Sequence, residues 1–169
     1  MARRIFQETQ RMRETVSAYV LGAGFLLFLA GLIILIVMER PDRNELITAV
    51  AIITTVMFLV GWLMLTLKLE VKIEENRISY RMPPLINREQ FIQRSEIEEY
   101  EVVDYKPVAH YGGWGLRYSP RHGKALTIAG SNGLALSLTS GKKLLLGTRM
   151  KAEIDQAMRR MMENEEDYG

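Results

Sequence analysis

The feature that most constrains this chain is a pair of apolar runs, Thr15–Met38 and Leu46–Leu67, separated by the seven-residue charged turn Glu39–Glu45. They hold 24 and 22 residues without a formal charge. A helix rises about 1.5 Å per residue, so about 20 apolar residues cross a hydrocarbon core. Each run is long enough, which predicts a two-helix transmembrane hairpin over 15–67, with spans at about 16–38 and 46–67. A cleaved signal peptide would have an apolar region of about 7–15 residues closed by a small-x-small site. The first run is longer, ends in Ile36-Val37-Met38-Glu39 and is followed at once by the second. It reads as a retained anchor.

The flanks predict orientation. Residues 1–14 carry Arg3, Arg4, Arg11 and Arg13 against Glu8 and Glu14, and Lys68, Lys72, Arg77 and Arg81 follow the second run. The turn offers only Arg40 and Arg43, offset by Glu39, Asp42 and Glu45. Cations close to a span favour the cytoplasmic side, so the expectation is a multi-pass plasma-membrane protein with both termini cytoplasmic and 1–14 as a tail. Neither span contains an ionisable residue, which argues against an ion path or transporter core. Ser17, Gly24 and Gly31 recur at seven-residue intervals, and Ala18 and Gly22 add a small-xxx-small pair. Such residues let helices approach closely, with Thr48 and Thr55 as a facing ridge. Two outcomes stay open: a hairpin packed on itself, or a seam between subunits of a homo- or hetero-oligomer.

From Lys68 the period changes to two. Lys68–Ile73 alternates as a half-buried strand does, Glu75-Asn76 turns, and Arg77–Met82 returns before Pro83-Pro84, which cannot donate to a ladder. Residues 91–105 hold a further strand or two, then come Trp114–Tyr118, Ala125–Ala129, Leu134–Leu138 after the turn Gly130–Gly133, and Lys143–Gly147 after Ser140-Gly141. Lys151–Met162 reads as a helix with Ile154, Ala157, Met158, Met161 and Met162 on one face. Seven short strands and one helix predict an α+β membrane protein: the hairpin, then a strongly bent antiparallel sheet or barrel over 68–163 capped by the C-terminal helix, then an acidic tail over 164–169.

Three stretches within Val71–Met162 stand out: Tyr111-Gly112-Gly113-Trp114-Gly115-Leu116-Arg117, the strand entry Gly130-Ser131-Asn132-Gly133-Leu134-Ala135-Leu136, and Gly141-Lys142-Lys143-Leu144-Leu145-Leu146-Gly147-Thr148. In that order they resemble a bacterial pleckstrin-homology-like (PH-like) domain of the membrane-anchored kind, in which a two-helix hairpin precedes the domain. The resemblance implies a seven-stranded bent sheet with a C-terminal helical cap, serving as a scaffold for binding and assembly. Phosphoinositide recognition does not carry over, because the first hairpin turn, Glu74-Glu75-Asn76, is acidic.

The side-chain inventory narrows the chemistry. Without cysteine there are no disulfides or thiolate metal sites. The two histidines, His110 and His122, lie beside glycine-rich loops, and a zinc site wants at least three ligands. No nucleophile elbow, phosphate-binding loop or dinucleotide fingerprint is present. The expectation is a non-enzymatic chain with no cofactor and no metal. A net charge of +2 gives no argument for nucleic acid. Charge is nevertheless segregated: Glu89–Asp104 holds six acids and one arginine, whereas no acid lies between Asp104 and Glu153. That second stretch contributes a candidate basic face of Arg121, Lys124, Lys142, Lys143, Arg149 and Lys151. The glycine loop is a candidate binding loop through Tyr111, Gly112, Gly113, Trp114 and Arg117. Trp114 suits either the core, the commoner place for an aromatic beside strand glycines, or an exposed docking position. These features predict a membrane-anchored module that mediates assembly or binds a protein partner at the cytoplasmic face of the bilayer. The alternatives are a sensor of anionic lipid headgroups and an accessory subunit of a transporter or membrane protease.

Overall fold

The computed structural model describes residues 3–14, 16–39 and 43–163, so the tip of the charged turn and the acidic tail lie outside the described residues. The chain divides into two compact units, Met12–Thr66 and Met1–Arg11 with Leu67–Gly169.

The Met12–Thr66 unit holds α1 (Val16–Glu39) and α2 (Arg43–Thr66). Glu45 lies in the first turn of α2, where a carboxylate complements the unpaired N–H groups. Over Asn44–Thr66 that helix is long and apolar enough to cross a membrane, and the apolar window is entirely unburied. Among the described residues it is the one helix that meets this requirement; in α1 the described apolar stretch is Gly22–Ile34. Large apolar side chains point outward on both, Leu27 at 74% exposure and Phe58 at 69%. A Cβ built at Gly24 or Gly31 would meet nothing within 4 Å, and the side chain of Ser17 lies outside the described residues. Thr48 and Thr55 donate their hydroxyls to Asn44 O and Ala51 O of their own helix, at 2.9 and 2.8 Å.

The other unit contains two sheets. One has the order β1-β2-β3-β4, formed by Arg4–Arg11, Lys68–Glu74, Arg77–Met82 and Ile86–Gln93, all antiparallel. The second has the order β5-β8-β9-β7-β6, from Ile97–Asp104, Gly115–Ser119 (β6), Gly123–Thr127 (β7), Asn132–Leu138 (β8) and Lys143–Thr148 (β9). A short helix, α3 (Pro107–Tyr111), joins β5 to β6, and α4 (Lys151–Glu163) follows β9. The core draws Leu69, Val71, Ile73 and Ile78 from the first sheet and Leu126, Leu134, Leu136 and Leu146 from the second. Ile154, Ala157, Met158 and Met161 of α4 are buried, while Met162 is half-buried. That helix packs on β1 and β2 of one sheet and on β5 and β8 of the other. Polar side chains pair over the first sheet: Glu70 accepts from Lys68 of its own strand at 2.9 Å and from Arg81 of β3 at 2.6 Å, and Glu89 of β4 from Lys72 of β2 at 2.7 Å and Ser79 of β3 at 3.0 Å.

The expected seven strands are nine among the described residues, and the differences have physical causes. Residues 4–11 are a strand of the first sheet rather than a free tail, paired with β2 from Arg4↔Glu74 to Arg11↔Lys68. Their inward positions are Phe6, Glu8 and Gln10, so two of three are polar and the apolar alternation that marks a strand is missing. β4 begins at Ile86, where Asn-Arg-Glu-Gln interrupts the alternation. The second sheet is not wholly antiparallel either, because β7 pairs with β9 in parallel, Lys124↔Leu144 to Leu126↔Leu146. At that seam Gly123 adopts φ +76°, and a Cβ there would fall 2.3 Å from Lys143 O. Only glycine permits the approach.

Candidate functional site

The glycine loop is tied down by its own hydrogen bonds. α3 ends at Tyr111, and Gly112 at φ 72° turns the chain, its N–H donating to Val108 O at 2.9 Å. Gly113 N–H then donates to Pro107 O at 3.0 Å. Trp114 is half-buried, with its indole N–H donating to Gly130 O at 3.0 Å, so it braces the turn between β7 and β8. Arg117 folds back to donate from Nε to Trp114 O at 3.1 Å. Tyr111 meets Tyr105 edge-on at 6.1 Å and donates its hydroxyl to His122 O at 3.3 Å. Burial pushes both phenols above the usual tyrosine range.

Tyr105, Ala125 and Leu145 form a small buried cluster on the second sheet, flanked by Val103, Tyr111 and Ala135. Beside it lies a cleft of about 360 Å³, floored by Val103, Ala135 and Leu145 and rimmed by His110, His122 and Lys143. The two imidazoles stack at 5.1 Å, an approach of two loops that their twelve-residue separation does not announce. Among the described residues no group of three or more His, Asp or Glu side chains is placed to hold a metal ion.

The six basic residues do not share one surface. Lys143 rims the cleft, whereas Lys124, one position out of phase on the neighbouring strand, holds Nζ 6.0 Å from the centre of the Tyr80 ring. Lys142 and Arg121 are exposed in the turns that lead into β9 and β7. Arg149 and Lys151 follow the opposite end of β9, where Lys151 Nζ is held 2.7 Å from Asp104 Oδ2.

That same end carries the polar side chains that the sequence does not advertise. Glu8 Oε2 accepts from Thr148 Oγ1 at 2.6 Å, and its Oε1 accepts from Arg149 N–H at 2.9 Å and Gln10 Nε2 at 3.0 Å. Gln10 Nε2 also donates to Gly147 O at 2.8 Å, and Thr148 Oγ1 accepts from Met150 N–H at 3.0 Å. Glu8 is 7% exposed and Gln10 1%. This network clasps β1 to the junction of β9 and α4.

A larger groove, about 740 Å³, runs between β5 and α4. Tyr100, Glu101 and Val102 line one wall, and Lys151, Asp155 and Arg159 the other. Among the described residues β5 is an outer strand of its sheet, bonded to β8 alone. The chain matches no family model, no curated protein and no solved structure.

Proposed function

We propose that this chain is a two-span membrane protein that holds a PH-like docking module at the cytoplasmic face of the plasma membrane, where the module binds a protein partner without catalysis. The pairing of Arg11 with Lys68 carries the proposal. The chain leaves the sheet at Arg11, runs through α1 and α2, and re-enters at the adjacent strand. A sheet cannot straddle a bilayer, so an insertion whose two ends are hydrogen-bonded neighbours crosses an even number of times. With α2 as one crossing, α1 supplies the return. The arginines beside the first span and the lysines after the second set the shared side as cytoplasmic.

Docking fits the module because three of its buried or half-buried carboxylates are committed to structure. Glu8 spends its oxygens on Thr148, Arg149 and Gln10, and Glu70 and Glu89 are held by cations. Headgroup sensing has less support, since the six cations are divided between opposite ends and sides of the second sheet. Because the chain has no cysteine, single cysteines report topology directly. Asn44→Cys should react with a membrane-impermeant maleimide only from outside, and Thr9→Cys and Lys142→Cys only after the cytoplasmic side is opened. Labelling of Thr9→Cys and Lys142→Cys from opposite sides, or of Asn44→Cys from the same side as both, would refute the two-span anchor.

A further inference from the structure

The groove beside β5 has a definite chemical character. Among the described residues β5 has no strand on its outer side, so every second backbone N–H and C=O along it lacks a ladder partner, and an opening of ≈ 740 Å³ lies between this strand and α4. Glu98, Glu99 and Glu101 are exposed on this strand, and among the described residues none of them is in a salt bridge. The cations on the opposite wall are already occupied, Lys151 by Asp104 at 2.7 Å and Arg159 by Asp155 at 3.0 Å. Of the three glutamates Glu101 lines the groove, with Glu163 of α4 as a second unpaired acid, so the groove carries net negative charge beside a strand edge that is open among the described residues. Tyr100 and Val102, half-buried, alternate with the glutamates and offer an apolar row on the groove side.

From this combination we propose that the groove binds an extended, cationic segment of a partner protein, added to β5 as a sixth strand of the sheet. Lys or Arg side chains lie opposite Glu99 and Glu101, and apolar side chains at the intervening positions lie against Tyr100 and Val102. The site deepens the docking function proposed above and rests on it. A second copy of the chain is a poorer occupant: of its other outer strands, β6 brings one cation, Arg117, already folded onto Trp114 O; β4 brings Arg88 beside Glu89; and the two arginines of β1 are engaged, Arg4 with Gln7. An anionic headgroup is repelled by the glutamates and has no backbone to complete the ladder.

The test uses the full chain in a mild detergent and three labelled nonapeptides: alternating Lys and Val, alternating Glu and Val, and the Lys/Val peptide with proline at alternate positions. Fluorescence anisotropy should show binding of the Lys/Val peptide alone, weakened about tenfold by the double substitution E99K/E101K and unchanged by Arg88→Glu on the outer strand of the other sheet. Equal binding of the proline peptide, which cannot donate to a ladder, would reduce the effect to charge alone and overturn strand addition. Failure of the Lys/Val peptide to bind, or indifference to E99K/E101K, overturns it as well. In native membranes, a photo-crosslinking residue at Val102 should yield a protein adduct that E99K/E101K abolishes. An adduct at Tyr118 of β6 but not at Val102 overturns the groove and leaves the docking function standing. An adduct at Val102 of twice 19.4 kDa identifies a second copy and overturns the partner. No protein adduct at either position overturns the groove and the docking function together.

Discussion

Replacing Glu8 tests whether the segment before α1 belongs to the fold of the two-sheet unit. Its carboxylate accepts three hydrogen bonds, at 2.6, 2.9 and 3.0 Å, from the Thr148 hydroxyl, the Arg149 N–H and Gln10 Nε2. A hydrogen bond to a charged group is worth about 1.5–3 kcal/mol, but Gln10 keeps Gly147 O and the Thr148 hydroxyl can turn toward another acceptor. Allowing for those escapes, Glu8→Ala should cost about 3–4 kcal/mol, against a total stability of about 5–15 kcal/mol for a domain. Glu8→Gln retains one acceptor and the shape, and should cost about 1–2 kcal/mol. Thr9→Ala, one residue on but facing outward, should stay within about 0.5 kcal/mol. The assay is urea unfolding of the full chain in detergent, with Trp62→Phe leaving Trp114 as the only tryptophan. Trp114 lies in the loop that leads into β6 of the second sheet, bonded to Gly130 O, so it responds to loss of the module rather than to fraying of β1. If Glu8→Ala unfolds within about 1 kcal/mol of the parent, the clasp is not a structural element and β1 is a dispensable tail.

Gly123→Ala should destabilise the module by about 3 kcal/mol or more, because a methyl at φ +76° would sit 2.3 Å from Lys143 O and break the parallel seam, whereas Gly130→Ala, with nothing within 4 Å, should pay only for its backbone angle. Unfolding of both variants by urea separates the two effects. Leu146→Ala, in the core at 0% exposure, should cost about 3 kcal/mol, and a loss below about 1 kcal/mol would place that residue outside the cooperative core. Stability should also fall in acid. Burial works against ionisation of Glu70, but Lys68 and Arg81 hold its carboxyl below the usual carboxylate range; Lys72 does the same for Glu89 against the pull of burial. A depressed folded-state pKa means that the stabilisation is present above the unfolded value of 4.5 and is lost as pH drops through the folded one. Urea midpoints should therefore be flat from neutral pH to about 5 and decline below it, and Glu70→Gln with Glu89→Gln should shallow that decline.

How much of this was legible beforehand depended on where the information sat. β2 and β3 announce themselves by alternation between a lysine-rich flank and Pro83-Pro84, and the last helix by Ile154, Ala157, Met158 and Met161 at helical spacing. β1 could not be seen that way, because two of its three inward side chains are a glutamate and a glutamine whose partners are about 140 residues later in the chain. The cations of the second stretch could be counted but not placed: adjacent positions on strands face opposite ways, so Lys124 reaches Tyr80 while Lys143 rims a cleft. Glu98, Glu99 and Glu101 were visible as an acidic run, yet nothing local says that β5 is an outer strand with α4 standing off from it.

The sequence alone determined the two apolar runs, their charged flanks, most strands and the amphipathic last helix, since all of these follow from side-chain polarity repeated at the period of a single element. Tertiary structure decided that the apolar segment interrupts a sheet, that Glu8 and Gln10 belong inside, and that an acidic edge borders an open groove. Those are pairings between residues far apart in the chain, and the chemistry that stabilises them is shared between two segments, so neither segment displays it by itself.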